Sequence, residues 1–264
     1  MESRVSTTTL VEEYDSDAPP DYLASISEKD KKELISSDAH SIASDTTLND
    51  PGHGFKAAKS LTVSAKGISA IRLPTPSSQL TIDIFNSDGS LAYRSTRANR
   101  CSGNSLLSDS HGRPALATEY FFGPNRDPVI HILDENSVEI ADTKTVSRWT
   151  SRSHTFLLPD GREFTWKYVK ERLFAGDAKK VTSLVLTCGE KRLAVLRRDS
   201  ETRTPGTKAC TAGNGGELLL SEEVGSKEGV SEEVVVATCL LMLKKEIDRR
   251  RAIQAFMVMS VASS

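Results

Sequence analysis

The sequence has few aromatic residues, no closely spaced cysteine pair and no apolar run of the roughly 20 residues that a transmembrane helix needs. Aromatic residues make up 6% of the 264 positions and apolar residues 38%, which is enough for one core but too little for a bundle of membrane helices. The histidines do not cluster, and the four cysteines lack C-x-x-C spacing. No metal or cofactor is therefore expected. The cysteines are Cys101, Cys188, Cys210 and Cys239.

The amino terminus lacks the apolar segment of a secretory signal peptide. Residues 1–9 (MESRVSTTT) are mostly polar, which predicts a cytoplasmic protein with reduced thiols. Cys188 and Cys239 are then expected to be buried and to pack as small apolar residues.

Charge divides the chain into two parts. Residues 1–50 carry twelve acidic and four basic groups and fourteen Ser or Thr, whereas the rest carries 24 acidic and 30 basic groups. The first part buries too little apolar surface to offset the entropy lost on ordering. We predict a disordered acidic tail over 1–55 and a folded domain over 56–264. The modest positive charge of the domain, without an aromatic platform motif, predicts no nucleic-acid partner.

The tail contains one short motif with the P-P-x-Y form that WW domains bind. Pro19 and Pro20 preset an extended turn, and Tyr22 can enter the neighbouring aromatic slot of a WW domain. The motif predicts recruitment of a WW-domain protein such as a ubiquitin ligase of that type. The alternative is a plain solvated tail.

From residue 59 onward, short apolar or alternating runs separated by turn residues predict strands. Polar turns at 86–89, 159–161 and 189–191 predict hairpins. Eleven or more such strands without intervening helices indicate an antiparallel meander that closes on itself. The GNGG segment at 213–216 lacks the Lys-Ser/Thr of a phosphate loop and is expected to be a flexible connection. The predicted strands are 60–63, 68–73, 80–85, 91–94, 116–122, 129–133, 154–158, 163–169, 181–187, 193–197 and 217–220.

Residues 234–243 are apolar on every side of a helix. Ser231 is the predicted N-cap, and Glu232 and Glu233 favour the first turn. A helix without a polar face must be enclosed, and its length of about 15 Å matches the roughly 13–15 Å height of tilted strands. We therefore predict a mainly β fold, a closed antiparallel barrel of about twelve strands around a C-terminal helix. The predicted helix core is Val234, Val235, Val236, Cys239, Leu240 and Leu243.

Two features of this C-terminal region leave alternatives open. The β-branched run 234–236 could instead form another strand. The charged segment 244–251 (KKEIDRRR) is expected to mark the helix leaving the barrel, with side chains near the negative end of the helix dipole or in solvent. Beyond it, Ile253, Phe256, Met257 and Ser260 share one stripe that could pack on the rim or contact a membrane surface.

This pattern resembles the tubby C-terminal-like superfamily, which includes the LURP-one-related proteins and the phospholipid scramblases. The resemblance covers 79–251 and implies a twelve-stranded barrel around a central helix. For the tubby branch it also implies phosphoinositide binding on the barrel exterior without catalysis, but no segment aligns with that branch's lipid-contacting motif. Motifs similar to fungal tubby-like proteins are YRSTR at 93–97, RCSGN at 100–104, EYFFGP at 119–124, WTSR at 149–152, LPDGREF at 158–164, TRTPG at 202–206 and KKEIDRRR at 244–251.

Basic side chains of the domain are candidates for binding an anionic phospholipid headgroup, because Arg offers forked contacts and Lys a point charge. The alternative is a solvated barrel exterior. The lipid-binding candidates are Arg97, Arg100, Arg148, Arg152, Lys167, Lys170, Arg197 and Arg198.

No catalytic arrangement is visible in the sequence. His131 and His154 fall in predicted strands and are expected to be structural, and no nucleophile, base and orienting acid stand in a recognisable pattern. We predict a non-enzymatic, cytoplasmic interaction module that is peripheral at membranes. The alternatives are a structural or stress-linked scaffold without lipid binding, and an enzyme with an unrecognised surface site.

Overall fold

The computed structural model describes residues 55–70, 73, 75–123, 126–134, 136–146, 150–171, 181–226 and 229–262. Among these, twelve antiparallel strands form a closed barrel in chain order, and β1 closes the ring against β12. The predicted fold class is confirmed. The WW motif (Pro19, Pro20, Tyr22) and the candidate Arg148 lie outside the described residues.

The barrel and its single described helix have the following bounds. The elements are β1 (Lys59–Ile68), β2 (Thr81–Asn86), β3 (Leu91–Thr96), β4 (Ser105–Asp109), β5 (Pro114–Glu119), β6 (Val129–Leu133), β7 (Glu139–Thr145), β8 (His154–Leu157), β9 (Glu163–Glu171), β10 (Val181–Cys188), β11 (Lys191–Arg197), β12 (Ala212–Leu220) and α1 (Glu232–Ala262).

Several strand predictions need correction. β4 and β7 were not predicted. β7 was missed because it turns Thr143 and Thr145 towards the core, where the pattern of a half-buried strand has apolar residues. The predicted strand 68–73 does not begin as expected, because β1 runs on through Ile68 and ends there, and residues 69, 70 and 73 are not in a strand; residues 71 and 72 lie outside the described part of the chain. Cys188, expected to be buried, is half-buried, whereas Cys239 is fully buried as predicted.

Segment 213–216 is part of β12, so the expectation of a flexible connection is wrong. Its glycines allow close approach between neighbouring backbones. A Cβ on Gly215 would lie 2.0 Å from the Val63 carbonyl oxygen, and one on Gly213 would lie 2.4 Å from Cγ1 of Ile247 in α1. The glycines therefore serve packing, which a turn-based interpretation of glycine misses.

The barrel interior is filled by alternate strand residues and by α1. Leu61, Trp166 and Leu218 are fully buried against Val236 and other residues of the helix. Because successive strand residues face opposite sides, their neighbours point outward. A smaller apolar cluster on the exterior joins Val185, Val195 and Leu219, with Phe55 and Val169 packed against it.

α1 begins as predicted. The amide of Val234 donates to Oγ of Ser231 at 3.3 Å, and Glu232 forms an ion pair with Lys59 at 2.7 Å. Inside the barrel, Nε1 of Trp166 donates to Oγ1 of Thr238 at 2.9 Å, so both buried polar groups are satisfied. Residues 234–236 are helical, and the strand alternative is wrong.

The two ends of the barrel differ. Short turns at 87–90, 110–113, 158–162 and 189–190 surround the start of α1, and Gly89 and Gly161 adopt positive φ in two of them, as the turn pattern predicts. We call this the short-turn end. Long connections join β1 to β2, β3 to β4, β5 to β6, β7 to β8 and β11 to β12 at the opposite, long-loop end.

α1 has 31 residues, which at 1.5 Å each extend roughly 46 Å, far beyond the height of the barrel. The prediction that its charged segment reaches solvent is wrong. Lys245 and Asp248 are only 5% and 3% exposed, because the long connections surround the helix where it leaves the ring of strands. No helix in the described part of the chain is long and apolar enough to cross a membrane.

Enclosure of α1 predicts an asymmetric response to charge along one helix. Val236→Asp places a carboxylate at a fully buried site and should lower the free energy of unfolding by about 3–5 kcal/mol. Val258→Asp, at a position that is 51% exposed, should change it by less than about 0.5 kcal/mol. Urea denaturation followed by circular dichroism measures both. Equal effects would contradict enclosure.

Candidate functional site at the long-loop end

Six charged residues of α1 form a band around the helix at the long-loop end. They follow the apolar segment directly, so helical periodicity directs them to different sides of the barrel opening. We call this band the charged collar. It consists of Lys244, Lys245, Glu246, Asp248, Arg249 and Arg251.

Glu246 is the most densely bonded member of the collar. Its carboxylate accepts hydrogen bonds from both terminal nitrogens of Arg198 at 2.8 and 3.1 Å, from the amide of Gly213 at 2.8 Å and from the hydroxyl of Tyr168. Burial alone would raise the pKa of Glu246, but Arg198 and these hydrogen bonds lower it below the usual value. This network connects α1 to β9, β12 and the connection after β11.

Lys245 and Arg249 contact the opposite side of the opening. Nζ of Lys245 lies 3.1 Å from Nδ1 of His154, and Arg249 donates to the carbonyls of Thr150 and Ser151 at 2.7 and 2.9 Å. Burial lowers the pKa of Lys245 to about 7 and that of His154 to about 3. His154 is therefore neutral and accepts from Lys245, as a structural residue of a strand.

On the third side, Asp248 is shared by two cations. It accepts from Lys244 at 2.6 Å and from Arg251 at 3.1 Å. Next to them, Arg97 donates to the carbonyls of Gln79 and Ser102. A partly enclosed cavity of about 40 Å³ lies here between α1 and the first five strands, with Arg97 and Lys244 in its wall.

Cations outnumber carboxylates within the collar, which has four basic and two acidic residues. Beside it, the described residues include the cations Arg97 and Arg198 and the carboxylates Asp127 and Asp199. A positive excess at low dielectric attracts anions more strongly than the same charges would in water. The long-loop end is therefore suited to binding anions.

The end of α1 adds an apolar surface at the same place. Met257, Val258 and Met259 are 51–62% exposed, and Phe121 is 50% exposed under the guanidinium of Arg126 at 4.8 Å. Ile253 and Phe256 instead pack against Phe122 and Ala252. Of the predicted stripe, Ile253 and Phe256 therefore pack on the rim of the barrel, whereas Met257 and Ser260 are exposed.

The lipid-binding candidates do not share one face of the barrel wall. Arg198 is in the collar network, Arg97 faces the cavity and Arg197 forms an ion pair with Asp199 at 2.5 Å. Arg152 lies over the ring of Tyr168 at 4.9 Å. Lys167 is half-buried on the outward side of β9, whose neighbour Trp166 faces the core.

Arg100 and Lys170 are exposed, as is Arg126. Among the described residues, none of these three forms an ion pair. Strand direction places all of them at the long-loop end, because β3, β5 and β9, which precede or carry them, all run towards it. The topology therefore brings exposed cations next to the apolar end of α1.

A separate polar cluster lies on the exterior of β6 and β7. Nδ1 of His131 is 2.7 Å from Asp142 and 3.0 Å from Glu139, and a bulge in the register turns both carboxylates to the same side. Burial opposes protonation of His131, but the carboxylates raise its pKa overall. These are the described residues whose donor atoms, within 4.8 Å of one another, could hold a divalent cation. Sequence spacing missed them because a strand pairing brings them together.

The collar was also missed by sequence reasoning, which expected its charges in solvent. The available signal was the spacing of Lys244 and Asp248, which are four residues apart and therefore adjacent on a helix. Arg198, Tyr168 and His154 come from distant strands and loops, so their convergence follows from the barrel alone.

The Glu246 network predicts a large loss of stability when its charge is removed. Glu246→Gln leaves Arg198 buried without a counter-charge and should cost about 3–5 kcal/mol of unfolding free energy. Glu222→Gln, at an exposed ion pair with Lys56, should cost less than about 1 kcal/mol. Because the folded-state pKa of Glu246 is lowered, its contribution is present above the unfolded pKa and is lost as pH falls through the folded value. Urea denaturation at neutral and acid pH should show the wild type and Glu246→Gln converging in acid; a constant difference would contradict this assignment.

Comparison with known proteins gives no match, whether with protein-family models, curated proteins or solved structures.

Proposed function

We propose that this protein is a non-enzymatic interaction module that docks with its long-loop end on anionic, phosphoinositide-containing membranes and recruits WW-domain proteins through its tail. The docking surface comprises the apolar end of α1 and the exposed cations beside it. Its residues are Arg100, Phe121, Arg126, Lys170, Met257, Val258 and Met259.

The observation that carries this proposal is the coincidence of apolar and basic residues at one end. Three consecutive exposed apolar side chains, Met257, Val258 and Met259, cover much of the circumference of a helix. Stable membrane anchoring commonly combines an apolar insertion with a basic patch, since neither is sufficient alone. Arg100, Arg126 and Lys170 supply the second component.

Among the residues that the structure describes, the opposite end does not show this combination. At the short-turn end, cations are balanced by nearby carboxylates, as in Arg113 with Asp109 at 2.7 Å and Arg162 with Asp160 at 2.6 Å. Lys191 pairs with Glu223 at 3.0 Å in the same way. An anionic surface would therefore be attracted to the long-loop end, which orients the protein on the bilayer.

One further observation supports part of the proposal. A closed twelve-stranded barrel around a central helix is the architecture that the resemblance to tubby-like proteins implies.

Sedimentation with vesicles tests membrane docking. The wild type should bind phosphatidylcholine vesicles containing phosphatidylinositol bisphosphate, and binding should weaken with added salt. Met257→Ser/Met259→Ser and Arg100→Glu/Arg126→Glu should each weaken binding by at least about tenfold, through lost apolar burial and reversed charge respectively.

The matched controls lie away from the proposed surface. Val138→Ser/Ile140→Ser removes two exposed apolar side chains of the β6–β7 region, and Lys191→Glu reverses a charge at the short-turn end. Both should bind as the wild type does. No binding at low ionic strength, or equal losses in all four variants, would contradict membrane docking and favour a scaffold without lipid binding.

The tail motif predicts a second, independent interaction. Full-length protein should bind an isolated WW domain in fluorescence anisotropy, and Tyr22→Ala should abolish that binding because the aromatic slot is left empty. Tyr14→Ala changes a tail tyrosine that no Pro-Pro pair precedes and should have no effect. Unchanged affinity of Tyr22→Ala would contradict recognition of this motif.

A further inference from the structure

The cavity beside the collar combines two kinds of lining. Leu80, Ile82 and Leu240 contribute an apolar wall from the second strand region and from α1. Ser95 and Thr118 add polar groups from β3 and β5, and both residues are at most 7% exposed. Buried water sites are lined mainly by polar groups, and empty cavities are lined mainly by apolar groups. The mixed lining of this cavity is typical of neither.

Two cations line the same cavity. Arg97 is half-buried, and the hydrogen bonds of its guanidinium go to two backbone carbonyls, those of Gln79 and Ser102. Lys244 has one carboxylate partner, Asp248, which it shares with Arg251. The single negative charge of Asp248 thus acts on both cations of the cavity wall, Arg97 and Lys244, as well as on Arg251.

Burial makes this arrangement costly without a further anion. Burial lowers the pKa of both Arg97 and Lys244. The positive charge of Arg251 lowers the pKa of both residues further, and Arg97 also lowers the pKa of Lys244. Asp248 compensates only in part. An anion inside the cavity would contact the Arg97 and Lys244 side chains and offset this repulsion.

The size of the cavity limits the ligand. About 40 Å³ corresponds to room for roughly three water-sized groups, which suits a molecule of a few heavy atoms. A phosphate would direct further charged oxygens at the apolar wall of Leu80 and Leu240, where they would lack partners. A carboxylate with a short alkyl chain matches both halves of the lining.

We propose that this cavity binds a short aliphatic monocarboxylate, with its carboxylate against Arg97 and Lys244 and its alkyl chain against Leu240 and Ile82. The planar guanidinium can donate two parallel hydrogen bonds to the carboxylate, and the ammonium adds a point charge. The hydroxyls of Ser95 and Thr118 are available for the remaining lone pairs. This site is separate from the proposed membrane surface, because its residues line the interior.

A titration of the full-length protein with small ligands tests the site. Acetate, propionate and hexanoate are compared by the methyl NMR shifts of leucine and isoleucine, with propionamide as the neutral analogue of propionate. Propionate should shift the methyl signals of Leu240 and Ile247, and propionamide should bind at least about tenfold more weakly because it lacks the charge. Hexanoate should bind more weakly than propionate because the cavity is too small. Equal binding of propionate and propionamide, or no shift at these methyl groups, would overturn the proposal.

Three variants assign the effect to the cavity. Arg97→Gln and Lys244→Met each remove one cation and should weaken propionate binding by at least about tenfold. Arg113→Gln removes an exposed arginine of the short-turn end and should leave it unchanged. If Lys244→Met does not fold, the comparison of Arg97→Gln with Arg113→Gln still decides, and equal affinities of these two would overturn the proposal. Vesicle binding can fail independently of either result, because it uses other residues.

Discussion

Enclosure of an apolar helix by a closed sheet is the constraint on which this structure depends. Residues 234–243 have no face that tolerates water, and the barrel has no free edge as long as β1 pairs with β12. Each part therefore removes the exposed surface that would destabilise the other. The glycines of β12 follow from the same constraint, because Gly213 brings the strand against the helix at Ile247.

The charged collar shows how a buried helix can end without unfolding the barrel. If α1 stayed apolar beyond the ring of strands, it would expose apolar surface to water unless further protein enclosed it. Here Glu246 binds Arg198 and Gly213, Arg249 binds the carbonyls of 150–151, and Asp248 holds Lys244. These contacts fix the rotation of the helix relative to the strands. They also leave an excess of positive charge, and this excess unites the two proposed ligands, an anionic bilayer outside and a carboxylate within.

The two ends of the barrel have different physical roles. Tight turns and paired charges make the short-turn end a stabilising cap around the start of the helix. Long connections at the other end supply both the partners of the collar and the exposed cations. The same division is common in barrels that carry function on the loops of one end, because loops tolerate residues that a packed core does not.

Local patterns were enough to predict the fold class, most of the strands and the buried helix, because period-2 alternation and a helix without a polar face can be recognised in the sequence alone. They also indicated the Ser231 cap and the hairpin turns. Three outcomes depend on the folded chain: 213–216 is a strand, β7 turns two threonines inward, and Lys245, Asp248, Arg249 and Arg251 are buried. Those outcomes depend on partners such as Arg198, Tyr168 and His154, which are distant in the chain. Burial of a charge is a property of what surrounds it, and a sequence pattern does not contain its surroundings.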